Sequence, residues 1–286
     1  MREWFKFNLD ETKSGTEKKP IDSSFADHAK GMLGYYKDPA YKSKDAFFEK
    51  FIENPDFPNW KHYEEFISSR VSTTDKILSV ASGRSANEVK LLDSGHDITC
   101  SDLDKPECFD DTVGLFPSYK FKKIDILSGP TTDSYDVIIS LGLIFLFDNE
   151  NLSLFLKNVF DSLKPGGRLL LDSAGSSDKL MANFIHDQLL KYETLAKRAY
   201  LGVRTGKKPG YIIKHHGYRR TSAELLKLAR REGFRLKDQV DYNFLVEFRR
   251  SKILYRLINP TSWTGKLFSK LGRSIPYNRM FELYKL

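Results

Sequence analysis

A chain of 286 residues with 40% hydrophobic and 29% charged side chains can bury one large core or two modest ones, which excludes a disordered protein. No run of eighteen apolar residues occurs, Met1 to Asp10 carries Arg2, Lys6 and Asp10 in place of an apolar leader, and Cys100 and Cys108 are too few for a disulfide framework or a four-ligand zinc site, so a cytoplasmic protein is expected. The net charge of +8 is unevenly spread: from Asp187 onward 23 Lys and Arg face 8 Asp and Glu, whereas the preceding residues hold 23 basic and 30 acidic side chains. The basic end suits an anionic partner or, equally, a solvated basic surface.

Residues 1–74 read as a polar lead-in followed by a helical cap, with Phe47, Phe48 and Phe51 and then Tyr63, Phe66 and Ile67 at helical spacings. Asn54-Pro55-Asp56-Phe57-Pro58 breaks these helices, because each proline lacks a donor and pushes its predecessor towards extended backbone. From residue 75 short apolar runs alternate with amphipathic stretches, the pattern of a mostly parallel sheet covered on both faces. Strands are predicted at Lys76–Val80, Asp97–Asp102, Tyr119–Lys123, Tyr135–Leu141 and Arg168–Ala174. Leu152, Phe155, Leu156, Val159, Phe160 and Leu163 form one helical stripe that stops at Lys164-Pro165-Gly166-Gly167. The capping box Thr221-Ser222-Ala223-Glu224 starts a helix ending near Gly233, and strands at Phe234–Tyr242 and Tyr277–Lys285 complete a sheet of seven.

The first strand of that series runs into Ala81-Ser82-Gly83-Arg84-Ser85, a turn of mostly small residues opening a helix. Small side chains there let a ligand lie against the backbone, and the helix start offers unsatisfied N–H groups. Asp102, twenty-one residues after Ala81, ends the second strand, where a carboxylate can accept both hydroxyls of a ribose. Read with Asp125 and Ile126 after the third strand and Leu163-Lys164-Pro165-Gly166-Gly167 before the fifth, the order and spacing resemble the class I S-adenosylmethionine-dependent methyltransferases over residues 75–286.

That resemblance implies a Rossmann-like α/β fold with a seven-stranded, mostly parallel sheet and S-adenosylmethionine as cofactor. It implies backbone contact with the methionine part at Ala81, Ser82 and Gly83, ribose binding by Asp102 beside Leu103, an adenine contact from Asp125 with Ile126, and a cofactor wall at Ser140, Leu141 and Gly142. Ser79 stands where the family has an acidic residue, and Ala81 and Ser85 replace two of its three glycines. Ala81, Gly83 and Ala86 also satisfy a degenerate Gly-x-Gly-x-x-Gly, which suits an NAD(P)-dependent oxidoreductase. Lys164-Pro165-Gly166-Gly167 and the late strand pair favour methyl transfer. A noncatalytic RNA- or protein-binding module is the other alternative.

Methyl transfer is an in-line displacement, and a hydroxyl acceptor also needs a base. His215 or His216 can take the proton, and Tyr218, Arg219 and Arg220 can hold the acceptor; a solvated basic turn is the competing reading of this stretch. Asp148, Asn149 and Asp172 are only a faint echo of a metal site, so no metal is expected. The insertion 243–276 interleaves Arg249, Arg250, Lys252, Arg256, Lys266, Lys270 and Arg273 with Phe248, Trp263, Leu267 and Phe268, as in a lid over an acceptor or a peripheral contact with an anionic membrane. Nucleic acid is less favoured, since no Asn- or Asp-Pro-Pro-Tyr follows the fourth strand and no Pro-Cys pair occurs. The expected activity is methylation of a small-molecule, lipid-like or sugar-like acceptor at oxygen.

Overall fold

In the computed structural model, which describes residues 1–10, 15–19, 39–54, 59–173, 177–178, 183–241, 262–272 and 279–286, the apolar runs after residue 75 are strands of one sheet. In chain order the elements are β1 (Arg2–Asp10), β2 (Thr16–Lys19), α1 (Lys44–Phe51), α2 (Asn59–Ser68), β3 (Lys76–Val80), α3 (Ala86–Asp93), β4 (Asp97–Asp102), α4 (Phe109–Leu115), β5 (Lys120–Lys123), β6 (Tyr135–Ser140), α5 (Asn149–Ser162) and β7 (Leu163–Asp172). They continue with α6 (Leu190–Thr205), β8 (Gly210–Arg219), α7 (Ser222–Arg231), β9 (Phe234–Asp241), α8 (Trp263–Gly272) and β10 (Arg279–Lys285), and a π-helical turn, Phe184–Leu189, leads into α6. Two compact units are formed: Gly31–Ala174 with Ala223–Val240 and Arg279–Leu286, and Met1–Lys30 with Gly175–Ser222 and Asp241–Asn278.

The larger unit holds a seven-stranded sheet in the order β5-β4-β3-β6-β7-β10-β9. The pairings from β5 through β7 are parallel, and β10 runs antiparallel to β7. Central strands covered on both faces need unbroken apolar runs, and Ile77 and Leu78 in β3, Val137 to Ile139 in β6 and Leu169 to Leu171 in β7 are all fully buried. The α5 stripe behaves as its spacing predicts: Leu152, Phe155, Leu156 and Val159 are fully buried, each contributing about 1.5–3 kcal/mol. Asp148 caps that helix by accepting the Asn151 N–H at 2.8 Å. α1 buries Phe47, Phe48 and Phe51 in a second core with Phe116 and Tyr119.

The smaller unit departs from the sequence reading. Arg2–Asp10, read as part of a polar lead-in, is a strand, while the helical segments expected after it are present as α1 and α2; β8 occupies the stretch for which a basic turn was the competing reading. β1 pairs antiparallel and β2 parallel with β8, in the order β1-β8-β2. Phe5, Phe7 and Leu9 do alternate with Lys6, Asn8 and Asp10, but β1 leaves most of its residues exposed, so its apolar signal is weak. β8 is rich in His and Arg, and its partner strand lies near the opposite end of the chain. Of the insertion 243–276, residues 262–272 are described and form α8; Arg249, Arg250, Lys252, Arg256 and Arg273 lie outside the described residues. Among the described residues, no helix is long and apolar enough to cross a membrane.

Candidate active site

The strand order reverses at β3, with β4 and β5 on one side and β6 and β7 on the other. In open α/β sheets ligands bind outside the carboxyl ends of the strands at such a switch point. Four loops meet this edge, and the ten residues singled out as cofactor contacts all lie on them.

The loop after β3 has the backbone of a three-glycine turn although only one glycine is present. Ala81, Gly83 and Ser85 adopt φ of +56°, +53° and +59°. For a side chain bearing Cβ this conformation costs about 1–2 kcal/mol, so something must hold it. The Ser82 N–H donates to the Ser101 carbonyl at 2.9 Å and the Ser85 N–H to the Ser82 carbonyl at 2.8 Å. The Ser85 hydroxyl is 2.8 Å from the Tyr119 hydroxyl, and the Gly83 N–H donates to Asp102 Oδ2 at 3.0 Å. A Cβ built on Gly83 or Gly142 would meet no heavy atom within 4 Å, so both loops front open space.

Asp102 accepts from Gly83 on one oxygen and from the Leu103 N–H, at 2.8 Å, on the other. Each carboxylate oxygen has a second lone pair, which leaves capacity for two hydroxyl donors. The Ile124 N–H donates to the Asp102 carbonyl at 3.0 Å and draws the next loop alongside. There Asp125 is exposed and its carboxylate accepts from the Leu127 N–H and the Ser128 hydroxyl, while Ile126 turns its side chain into the core. After β6, Ser140 is fully buried and its hydroxyl has no hydrogen-bond partner. A buried orphan hydroxyl is costly unless a ligand or water satisfies it. Leu141 and Gly142 follow, Gly142 at φ +66°.

Asp172, Tyr63 and Glu88 have roles at this edge that the sequence reading did not assign them. Asp172, fully buried at the end of β7, accepts the Gly142 N–H at 2.8 Å on one oxygen and the Tyr63 hydroxyl at 2.7 Å on the other, so it fixes the loop after β6 and ties α2 to it. Glu88, buried in the first turn of α3, accepts the Ser79 hydroxyl at 2.7 Å. A carboxylate therefore does stand beside position 79, supplied from nine residues further on; its presence in the first helical turn was the only sequence signal. Burial pushes the Glu88 carboxyl above its ordinary range, opposed by the Ser79 hydrogen bond. Burial likewise raises the Cys100 thiol, which makes it a packing residue and not a nucleophile.

His215, His216, Tyr218 and Arg219 stand together on β8, and Arg220 directly follows it, in the smaller unit. His216 meets Trp4 edge-on at 4.4 Å, and His215 lies 5.2 Å from Phe5 and 5.0 Å from Tyr218. The pairing of β1 with β8 shifts register between Trp4 and Phe5, and the two imidazoles meet different rings of β1 across that irregularity. Arg219 is 1% exposed and pairs with Asp187 at 3.2 Å; Arg220 is also buried. Among the described residues no group of three or more His, Cys, Asp or Glu side chains is placed to hold a metal ion.

No protein-family model and no curated protein matches the sequence. Solved structures do match. A magnesium protoporphyrin IX methyltransferase from Synechocystis PCC 6803 with bound SAH superposes with a TM-score of 0.54 at 13% identity, over 93% of this chain and 98% of that one. The chain has the class I methyltransferase fold. A geranyl diphosphate C-methyltransferase from Streptomyces coelicolor A3(2), in complex with Mg2+, geranyl diphosphate and S-adenosyl-L-homocysteine, shares this fold with a TM-score of 0.52 at 12% identity, over 88% of this chain and 87% of that one. A 1,6-didemethyltoxoflavin-N1-methyltransferase from Burkholderia thailandensis shares the methyltransferase fold with a TM-score of 0.51 at 14% identity, over 93% and 90% of the two chains. Besides the seven-stranded sheet of its larger unit, the chain carries the three-stranded β1-β8-β2 sheet in its smaller unit.

Proposed function

We propose that this chain is an S-adenosylmethionine-dependent methyltransferase acting on a small molecule at oxygen. The observation that carries the reading is the loop at the switch point: it keeps left-handed backbone at 81, 83 and 85 and is tied through the Gly83 N–H to the Asp102 carboxylate. A loop that had lost its ligand would have no reason to keep strain at Ala81 and Ser85. The bound sulfonium supplies an electrophilic methyl group for in-line transfer. Ala81, Ser82 and Gly83 present backbone to its methionine part, Asp102 and Leu103 take the ribose, Asp125 and Ile126 border the adenine, and Ser140, Leu141 and Gly142 line the remaining wall.

An oxygen acceptor needs its proton removed, and His215 or His216 is the base we assign. Tyr218 contacts the acceptor, with Arg219 and Arg220 beside it. Burial of both arginines argues against a merely solvated basic turn. The acceptors named for the structures of like fold are a magnesium porphyrin, a prenyl diphosphate and a didemethyltoxoflavin, which supports a small-molecule acceptor; a lipid-like or sugar-like one is our reading within that class. The insertion 243–276 serves as a cover for that acceptor or as a contact with an anionic membrane.

Calorimetric titration with S-adenosylmethionine, S-adenosylhomocysteine and NADH tests the reading: the first two should bind and NADH should not. Asp102→Ala should weaken donor binding by about 1–3 kcal/mol, the value of lost charge-assisted hydrogen bonds. Binding of NADH alone overturns the proposal, and donor affinity unchanged in Asp102→Ala places the ribose elsewhere.

A further inference from the structure

α6 is a sixteen-residue helix with no buried residue. One side of it is seated within its own unit: Thr194 Oγ1 donates to the Phe7 carbonyl at 3.3 Å and Arg198 Nε to the Pro209 carbonyl at 2.9 Å. On the opposite side Tyr192, Ala196, Ala199, Tyr200 and Val203 recur at i, i+4, i+7, i+8 and i+11, a single continuous stripe. Tyr192, Tyr200 and Val203 are 59%, 61% and 88% exposed. Lys197 and Arg204 flank the stripe, Lys207 and Lys208 follow its end, and all four are exposed. α8, in the same unit, repeats the composition with Trp263 and Leu267 exposed beside Lys266 and Lys270.

We propose that α6 is a docking face for an anionic lipid bilayer. Tyr192, Tyr200 and Val203 enter the headgroup region, where tyrosine keeps its ring among acyl chains and its hydroxyl in water, and the four basic side chains lie against lipid phosphates. Charge complementarity selects this occupant. A second copy would bring like charges together, since the chain from Asp187 onward holds 23 basic and 8 acidic residues, and such contacts are unfavourable. A nucleic acid would satisfy the lysines but leave Val203 facing phosphate and sugar. The inference concerns an element outside the insertion 243–276 and does not depend on the methyl-transfer reading.

The test is flotation of the full chain with vesicles of phosphatidylcholine alone or mixed with phosphatidylserine, over a series of salt concentrations. The chain should float with the mixed vesicles, less at each rise in salt, and not with phosphatidylcholine alone. The double variant Lys197→Glu/Arg204→Glu should lose binding by at least about tenfold, as expected when basic residues near the surface are reversed. The triple variant Tyr192→Ser/Tyr200→Ser/Val203→Ser should lose it as well, with circular dichroism and donor titration unchanged because these side chains are exposed. Absence of flotation at low salt overturns the proposal, as does full binding in the triple variant. So does a dimer of the parent chain that the triple variant abolishes, or retention on single-stranded RNA with no retention on vesicles.

Discussion

Ala81 and Ser85 show how a residue-scale departure from a motif is absorbed. Both carry Cβ in left-handed backbone, yet they are held differently: the Ser85 hydroxyl meets Tyr119, whereas Ala81 has no polar side chain to offer. Ala81→Gly should therefore raise stability by about 0.5–1 kcal/mol, the relief of strain less the added freedom of unfolded glycine. Ser85→Gly relieves the same strain but deletes a buried hydrogen bond, and should lower stability by about 1 kcal/mol. Urea denaturation of the two variants decides it, and shifts of the same sign would remove the anchoring role from Tyr119. The small residues of this loop and Asp102 were legible in the sequence because they are local. The Tyr63–Asp172 hydrogen bond joins residues 109 positions apart, and no spacing rule reaches that far.

At the scale of elements, α3 carries its own consequence of burial. Glu88 lies in its first turn, and the folded chain holds the carboxyl above the ordinary value of 4.5 because burial penalises the charged form. A raised folded pKa gives stability that is complete below the unfolded value and is lost as pH rises through the folded one. Glu88→Gln, which cannot ionise, should thus gain on the parent chain as pH is raised from about 4.5 towards 8. Chemical denaturation over that range reads the difference, and parallel pH curves would mean that Glu88 ionises freely. Elements with dense apolar stripes, α5 above all, were legible because 3.6-residue periodicity is a sequence property, although Leu163, read as the end of the stripe, and Lys164 to Gly167, read as the helix stop, belong to β7. β1 and β8 were not, because a small sheet with exposed faces demands little apolar alternation and its pairing is fixed by distant partners.

At the scale of the molecule, the proposed donor site is distributed over four strand ends, so ligand binding should stabilise the whole sheet and not one loop. Donor at about a hundred times its dissociation constant contributes about 2.7 kcal/mol and should raise the main thermal transition by about 5 °C. S-adenosylhomocysteine should do the same and NADH should leave it in place; a shift with NADH alone would contradict the methyltransferase reading.

Alternating apolar runs and helical stripes, with Lys164-Pro165-Gly166-Gly167 and Asp102 at their spacings, were enough to determine a seven-stranded α/β sheet. That is a consequence of periodicity and chain order, which any linear reading carries. Tertiary structure alone decided that residues 1–10 pair with β8, that Glu88 brings a carboxylate to Ser79, and that Asp172 and Tyr63 brace the loop at Gly142. Each depends on which distant segments share a face once apolar surface is buried, and that is set by packing in three dimensions.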